Sequence, residues 1–145
     1  MKIEYVVRKA CLKDVPILVH YKLTNIFEYA KDVTLEDKKK IESYVQTDIQ
    51  KELENVQMIL VKGQIVGCLI VTKQDDGMLI DEIYLDEAYR NQGIGTDSLK
   101  QLLKKYSTLY LWVYKLNYRA FSLYQKLGFR IVEETESRYY MKYKR

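Results

Sequence analysis

The sequence predicts an α/β (α+β) fold: a mixed β-sheet of about seven strands carrying four helices on its two faces. Three observations predict it. Three strand-like runs follow one another across short turns between Val56 and Leu85. A strand–helix–strand unit then runs from Met78 to Tyr114, and such a unit makes a parallel crossover. Elsewhere, runs with helical apolar spacing sit between strand-like runs, with no linker, repeat or low-complexity stretch. A length of 145 residues suggests one domain spanning 1–145.

Taken in order, Ile3 to Arg8 reads as a first strand. Asp14-Val15-Pro16 supplies a capping oxygen and a first-turn proline, so a helix is expected to start there. Ile17, Leu18, Tyr21 and Leu23 give it an apolar face, on which His20 reads as a packed or surface residue. Thr34-Leu35-Glu36-Asp37 resembles a capping box with aspartate in place of glutamate. The helix behind it carries Ile41, Val45, Ile49 and Leu53 four apart, and the charges from Glu36 to Lys40 form its solvated face. Val56–Val61 and Ile65–Thr72 are apolar runs joined by Lys62-Gly63-Gln64 as a hairpin turn. Gln74-Asp75-Asp76-Gly77 makes the next turn, and Met78–Leu85 is the third strand of the meander. A helix follows from Gly95 to Tyr106, then a strand from Leu109 to Tyr114. Asn117 suits the N-cap of a helix ending at Leu127, and Gly128 suits the left-handed position after it. Phe129–Glu133 and Arg138–Tyr143 close the sheet.

Composition excludes several classes. The net charge of +4, from 24 basic and 20 acidic residues, is too balanced to suggest nucleic acid or membrane binding. Cys11 and Cys68 lie far apart without metal-ligand spacing, so no metal is expected and a reducing compartment fits. The start, Met1-Lys2-Ile3-Glu4-Tyr5, has no signal-peptide core, and no apolar run approaches membrane-spanning length. A cytoplasmic protein is expected.

The segment Arg90-Asn91-Gln92-Gly93-Ile94-Gly95-Thr96 stands at a strand-to-helix junction. Backbone N–H groups at a helix start lack partners and sit at the positive end of the macrodipole. Glycine admits a ligand without a Cβ in the way, and arginine adds a planar fork of donors. A phosphate or pyrophosphate site is the reading. No Gly-Lys-Ser/Thr follows, so it is no Walker loop, and Ser98 stands where a dinucleotide fingerprint has its third glycine.

A second block, Asn117-Tyr118-Arg119-Ala120-Phe121-Ser122-Leu123-Tyr124-Gln125-Lys126-Leu127-Gly128-Phe129, follows about twenty residues after this loop and its helix. Together, Arg-x-x-Gly-x-Gly and Asn-x-x-Ala-x-x-Leu-Tyr-x-Lys-x-Gly-Phe resemble the Gcn5-related N-acetyltransferase (GNAT) superfamily. Arg8-x-Ala10-x-x-x-Asp14 is similar to how such chains begin. The resemblance covers essentially the whole length. It implies a mostly antiparallel sheet with a splayed strand pair holding acetyl-CoA. The backbone from Gln92 to Thr96, with Arg90 and Asn91, then holds the pyrophosphate. Ile83, Tyr84 and Leu85 stand on the bulged, splayed strand along which the pantetheine arm lies. Asn117 matches a position whose side chain contacts the cofactor.

Tyr124 matches the family's general acid. A tyrosine of pKa about 10 faces a thiol of about 8.5, so protonating the leaving thiolate is uphill but accessible. Its other reading is core packing with Ala120 and Leu127. Asp81 and Glu82 are adjacent in the strand before the loop, so their side chains are expected on opposite faces, with only one in the groove. Ile80–Leu85 most resembles the polyamine and diamine acetyltransferase branch, which has an acidic pair here. Asp81 then matches the branch's base and Glu82 an amine-binding carboxylate. The loop around Tyr29 to Val33 is expected to edge the acceptor site. Ribosomal-protein N-terminal acetyltransferases carry glutamate where this chain has Trp112, which argues against that acceptor.

The expected activity is direct transfer of an acetyl group from acetyl-CoA to a primary amine in a ternary complex. A small or polyamine-like acceptor is favoured. A non-catalytic acyl-CoA-binding module and a protein lysine or N-terminal acetyltransferase are the alternatives. Many relatives dimerise, so a homodimer is implied by the resemblance alone.

Overall fold

Four helices flank seven strands in the order β1 (Val6–Lys9), α1 (Val15–Tyr29), α2 (Leu35–Glu52), β2 (Val56–Val61), β3 (Gln64–Gln74), β4 (Gly77–Leu85), α3 (Ile94–Lys105), β5 (Thr108–Tyr114), α4 (Tyr118–Lys126), β6 (Arg130–Glu134) and β7 (Arg138–Lys144). The structure, a computed structural model, describes residues 3–29 and 33–145. Met1, Lys2 and residues 30–32, most of the loop expected to edge the acceptor site, lie outside the described residues. All seven strands form one sheet, ordered β1-β2-β3-β4-β5-β7-β6. Every neighbouring pair is antiparallel except β4 and β5, which the α3 crossover makes parallel.

Two layers of core follow from strand alternation. On one face Met58, Cys68 and Ile70 pack against Leu18 and Tyr21 of α1 and Val45 and Ile49 of α2. On the other, Leu69, Ile80, Leu109 and Leu111 pack against Leu99 and Leu102 of α3 and Tyr124 of α4. A third cluster of Ile59, Val61 and Val66 fixes Ile94, at the start of α3. The expected charge run from Glu36 to Lys40 lies on the exposed face of α2.

The local signals act largely as read. Thr34 accepts the Asp37 N–H at 3.1 Å and caps α2. Gly128 adopts φ 105° after α4, where the Phe129 N–H bonds back to the Tyr124 carbonyl at 3.0 Å. Asp14 differs. It ends a 3-10 turn, Leu12–Asp14, and α1 starts behind it at Val15. Its buried carboxylate reaches backwards, accepting the Cys11 N–H at 2.8 Å and two Arg8 guanidinium N–H bonds at 2.8 and 3.1 Å. An aspartate three residues into a turn can close a loop on its own backbone, so it ties β1 to α1 instead of capping the helix.

Candidate active site

The parallel pairing of β4 with β5 is short. It runs through Met78↔Leu109, Leu79↔Tyr110 and Ile80↔Leu111, and then the strands separate. β4 stays paired to β3 on its other side as far as Leu85. The expected splay is therefore present, and among the described residues no strand pairs with the β5 side of β4 beyond Ile80.

A bulge sits at the same point. Across β3, Val71 faces Ile80 but Ile70 faces Glu82, so Asp81 is an extra residue without an opposite number. The bulge resets which side chains share a face. Met78, Ile80 and Ile83 all pack toward α3 and α4, whereas Tyr84 packs toward α1 and α2. This corrects the expectation that Asp81 and Glu82 point apart. Both meet α1: Asp81 accepts from Lys22 Nζ at 3.0 Å, and Glu82 accepts from Asn25 Nδ2 at 3.0 Å. Regular alternation holds only while the pleat is unbroken.

Because the gap passes through the sheet, residues from its two faces share one cavity of about 210 Å³. Lys22 and Asn25 come from α1, Asp81, Glu82 and Ile83 from β4, Trp112 and Tyr114 from β5, Tyr124 from α4 and Arg138 from β7, with Asn117 beside them. Glu82 is only 6% exposed. Burial pushes its carboxyl up to about 8, against a smaller downward pull from the Lys22 ammonium, and the Asp81 charge adds to the rise. Burial alone would lower the Lys22 pKa. The charges of Asp81 and Glu82 and the bond to Asp81 outweigh it, so Lys22 holds its proton more firmly than an ordinary lysine.

Tyr124 is buried, and its phenol is raised above 10, first by burial and then by the charges of Glu82 and Tyr29. It packs with the core as well, its ring 5.9 Å from that of Phe129. Tyr124 therefore packs in the core and lines the cavity at the same time. Asn117 accepts the Ala120 N–H at 3.3 Å, capping α4, and lines the cavity at the same time.

The Arg90–Thr96 loop lies at the far end of β4. Asn91 (φ 62°) and Gly93 (φ 93°) take left-handed backbone, and α3 starts immediately after them. A Cβ built on Gly93 would have no heavy atom within 4 Å, so an approaching anion meets open space there. The N–H groups of Ile94, Gly95 and Thr96 in the first turn have no partner within the helix. The Arg90 Nε donates to the Leu85 carbonyl at 2.7 Å, and its guanidinium lies 5.3 Å from the Tyr84 ring centroid. Gln92 donates to the Ala88 carbonyl at 2.7 Å. Arg90 thus ties the strand end to the loop through its Nε. Unpaired helix-start donors, a cation and a strand edge leading to the cavity fit a ligand with a pyrophosphate at one end and an amide-bearing arm.

Among the described residues, no group of three or more His, Cys, Asp or Glu side chains is placed to hold a metal ion. Among the same residues, no helix is long and apolar enough to cross a membrane.

Among the cavity residues to which the sequence reading gave no site role are Lys22, Asn25 and Arg138. Lys22 and Asn25 did leave a trace. They continue the helical stripe that begins at buried Leu18, and Tyr29 ends it. A lysine on an otherwise inward-facing stripe is a signal that it serves something inside. Arg138 left none, because its place depends on β7 lying beside β5.

No curated protein matches the sequence. Solved structures do. PH1933 from Pyrococcus horikoshii OT3 is 24% identical over 98% of this chain and 99% of its own, with a TM-score of 0.75. The PaiA N-acetyltransferase from Thermoplasma acidophilum, solved in complex with coenzyme A, is 20% identical over 99% and 100%, with a TM-score of 0.69. A GNAT family acetyltransferase from Elizabethkingia anophelis, solved with acetyl-CoA bound, is 21% identical over 68% and 82%, with a TM-score of 0.59. At such identities the likeness is one of fold. The model of the Acetyltransferase (GNAT) family matches residues 23–129, which include the Arg90–Thr96 loop, the bulged strand and the Asn117–Phe129 block, and the chain belongs to that family of acyltransferases.

Proposed function

We propose that this chain transfers the acetyl group of acetyl-CoA to a primary amine of a small molecule, by direct attack in a ternary complex. The observation that carries the reading is the through-sheet gap beyond Ile80 and Leu111, where Glu82 from one face and Tyr124 from the other line one cavity. Bound acetyl-CoA supplies an acetyl thioester, an acyl donor whose leaving group is a thiolate. The N–H groups of Ile94, Gly95 and Thr96 hold its pyrophosphate, with Arg90 beside them. The unpaired edge of β4 along Ile83, Tyr84 and Leu85 bonds its amides and polarises the thioester carbonyl with an N–H.

Glu82 is the better base of the two carboxyls. An acid pushed up to about 8 holds a proton taken from an amine, and burial is what puts it there. Asp81 is already engaged by Lys22 and orients that side chain. Tyr124 keeps its proton at all working pH and supplies it to the thiolate. At ordinary values the transfer is uphill by about 2 kcal/mol, and desolvation in the cavity raises the thiol and the phenol together.

The test is release of free thiol from acetyl-CoA as amines are added one at a time, with product masses read on the amine and on added protein. Thiol appearing with a small amine, and a mass gain of one acetyl group on it, is the expected result. Binding of acetyl-CoA without thiol release for any amine or protein identifies the non-catalytic alternative. Acetyl appearing only on protein identifies the protein acetyltransferase.

A further inference from the structure

The charges of the acceptor cavity do not suit a polyamine. Its β4 wall carries two carboxyls, but its α1 and β7 walls carry two cations. Lys22 is held at 3.0 Å from Asp81, and its side chain is only 16% exposed, so the protein itself neutralises that carboxylate. Glu82 is buried and bonded to Asn25. Arg138 is different. Its guanidinium carbon lies over Trp112, 4.5 Å from the ring centroid, and among the described residues no carboxylate is within ion-pair distance of it. A guanidinium held on an aromatic ring, lining a cavity and lacking a partner, presents a ready fork to a planar anion. Lys22 uses one of its three donors on Asp81 and has two more.

A diamine would bring two positive charges into a space where Lys22 offsets Asp81, Glu82 is buried and bonded to Asn25, and the Arg138 cation has no carboxylate of its own. An amine that carries a carboxylate leaves the balance as it is. Resting on the transfer activity proposed above, we infer that the acceptor is an amino-acid-type zwitterion, its amine directed to the β4 carboxyls and its carboxylate held by Arg138 with help from Lys22. Trp112 is then the platform that orients the guanidinium. The branch resemblance of Ile80–Leu85 speaks for the amine end only, since it does not include α1 or β7.

Matched pairs that differ by one carboxylate test this directly: lysine against cadaverine, ornithine against putrescine, and γ-aminobutyrate against butylamine. Thiol release from acetyl-CoA is followed with wild type, Arg138→Gln and Arg138→Lys. In each pair the carboxylate-bearing amine is expected to show at least about a tenfold higher kcat/KM, which is the size of one charge-assisted contact. Arg138→Gln should erase most of that ratio through KM, and Arg138→Lys should restore part of it. The same pairs are run as melting-temperature shifts on CoA-loaded protein, where the amino acid is expected to stabilise and its diamine to stabilise less. Diamines used as well as or better than amino acids overturn the inference. So does an advantage that persists in Arg138→Gln, or a loss of CoA affinity in that variant, which would assign Arg138 to the donor. If no amine releases thiol but the melting shifts keep the preference, the acetyl-transfer reading falls and the zwitterion site stands.

Discussion

Glu82→Gln separates stability from chemistry, and the structure sets its size. Glutamine keeps the shape and still accepts the Asn25 N–H seen at 3.0 Å. It cannot ionise. The Glu82 carboxyl goes from its ordinary 4.5 in the unfolded chain to about 8 in the folded protein. The sign follows from proton counting. Between those values the native state keeps a proton that the unfolded state has lost, so wild-type stability falls as pH rises. The fall starts near the unfolded value and is complete above the folded one. At 1.36 kcal/mol per pH unit, the deficit of wild type relative to the variant is about 1 kcal/mol at pH ~5 and about 3 kcal/mol at pH ~7. For a chain of this size that growth is a melting-temperature gap widening by roughly 5–10 °C. The assay is thermal or urea unfolding of both proteins at several pH values in one buffer series. Activity should move the other way: turnover drops at least about a hundredfold if Glu82 is the base. Wild-type kcat/KM should climb with pH through about 8, the value of the folded carboxyl. A gap that stays flat between pH 5 and 8 would refute the buried, proton-holding Glu82. A variant as active as wild type would hand the base role to Asp81.

The remaining predictions concern the other parts of the site and one structural lock. Tyr124→Phe fills the same core space, so it should fold and bind CoA like wild type while turnover falls at least about a hundredfold; unchanged turnover with every good acceptor removes Tyr124 from the chemistry. Gly93→Ala places a Cβ on a residue with φ 93° and no neighbour within 4 Å, so the penalty is conformational, about 1–2 kcal/mol in unfolding experiments. The same substitution should shrink the melting-temperature rise produced by CoA, and a full rise would mean that anions do not approach there. Asp14→Ala removes the acceptor of the Cys11 N–H and the partner of Arg8, which should lower stability by roughly 2 kcal/mol, limited by the exposure of Arg8. The Arg8 hydrogen bonds hold the Asp14 carboxyl down at about 2, against an ordinary 3.8. Its contribution is therefore complete above pH 3.8 and lost as pH falls through about 2, and acid unfolding of wild type against Asp14→Asn reads it.

Local order was legible in the sequence because local physics decides it. Thr34, Gly128 and Asn117 mark helix ends by bonds that span only a few residues, and each does so in the structure. The seven strands and four helices, the parallel crossover and the left-handed Gly128 after α4 follow from periodicity and turn chemistry read along the chain. Asp14 is the local exception: two caps are open to one carboxylate, and the Arg8 guanidinium across the loop selects the backward one.

What only the tertiary structure decided is the face on which each site residue lies and the company it keeps. One extra residue at Asp81 reverses the alternation after it, and a bulge is set by pairing with β3, not by the composition of β4. The divergence of β4 from β5 opens the sheet, so that Glu82 and Tyr124, which belong to opposite faces, share a cavity. Lys22 and Arg138 reach that cavity from 59 and 57 residues' distance relative to Asp81, by the docking of α1 and the return of β7 beside β5. Burial is a property of the assembled layers as well, and it is burial that raises the Glu82 carboxyl from its ordinary range to about 8. The sequence determined the parts, their order and the glycine-bearing loop at the start of α3. Long-range packing determined which charges face one another, because that depends on a strand register and a sheet opening that no short stretch of residues encodes.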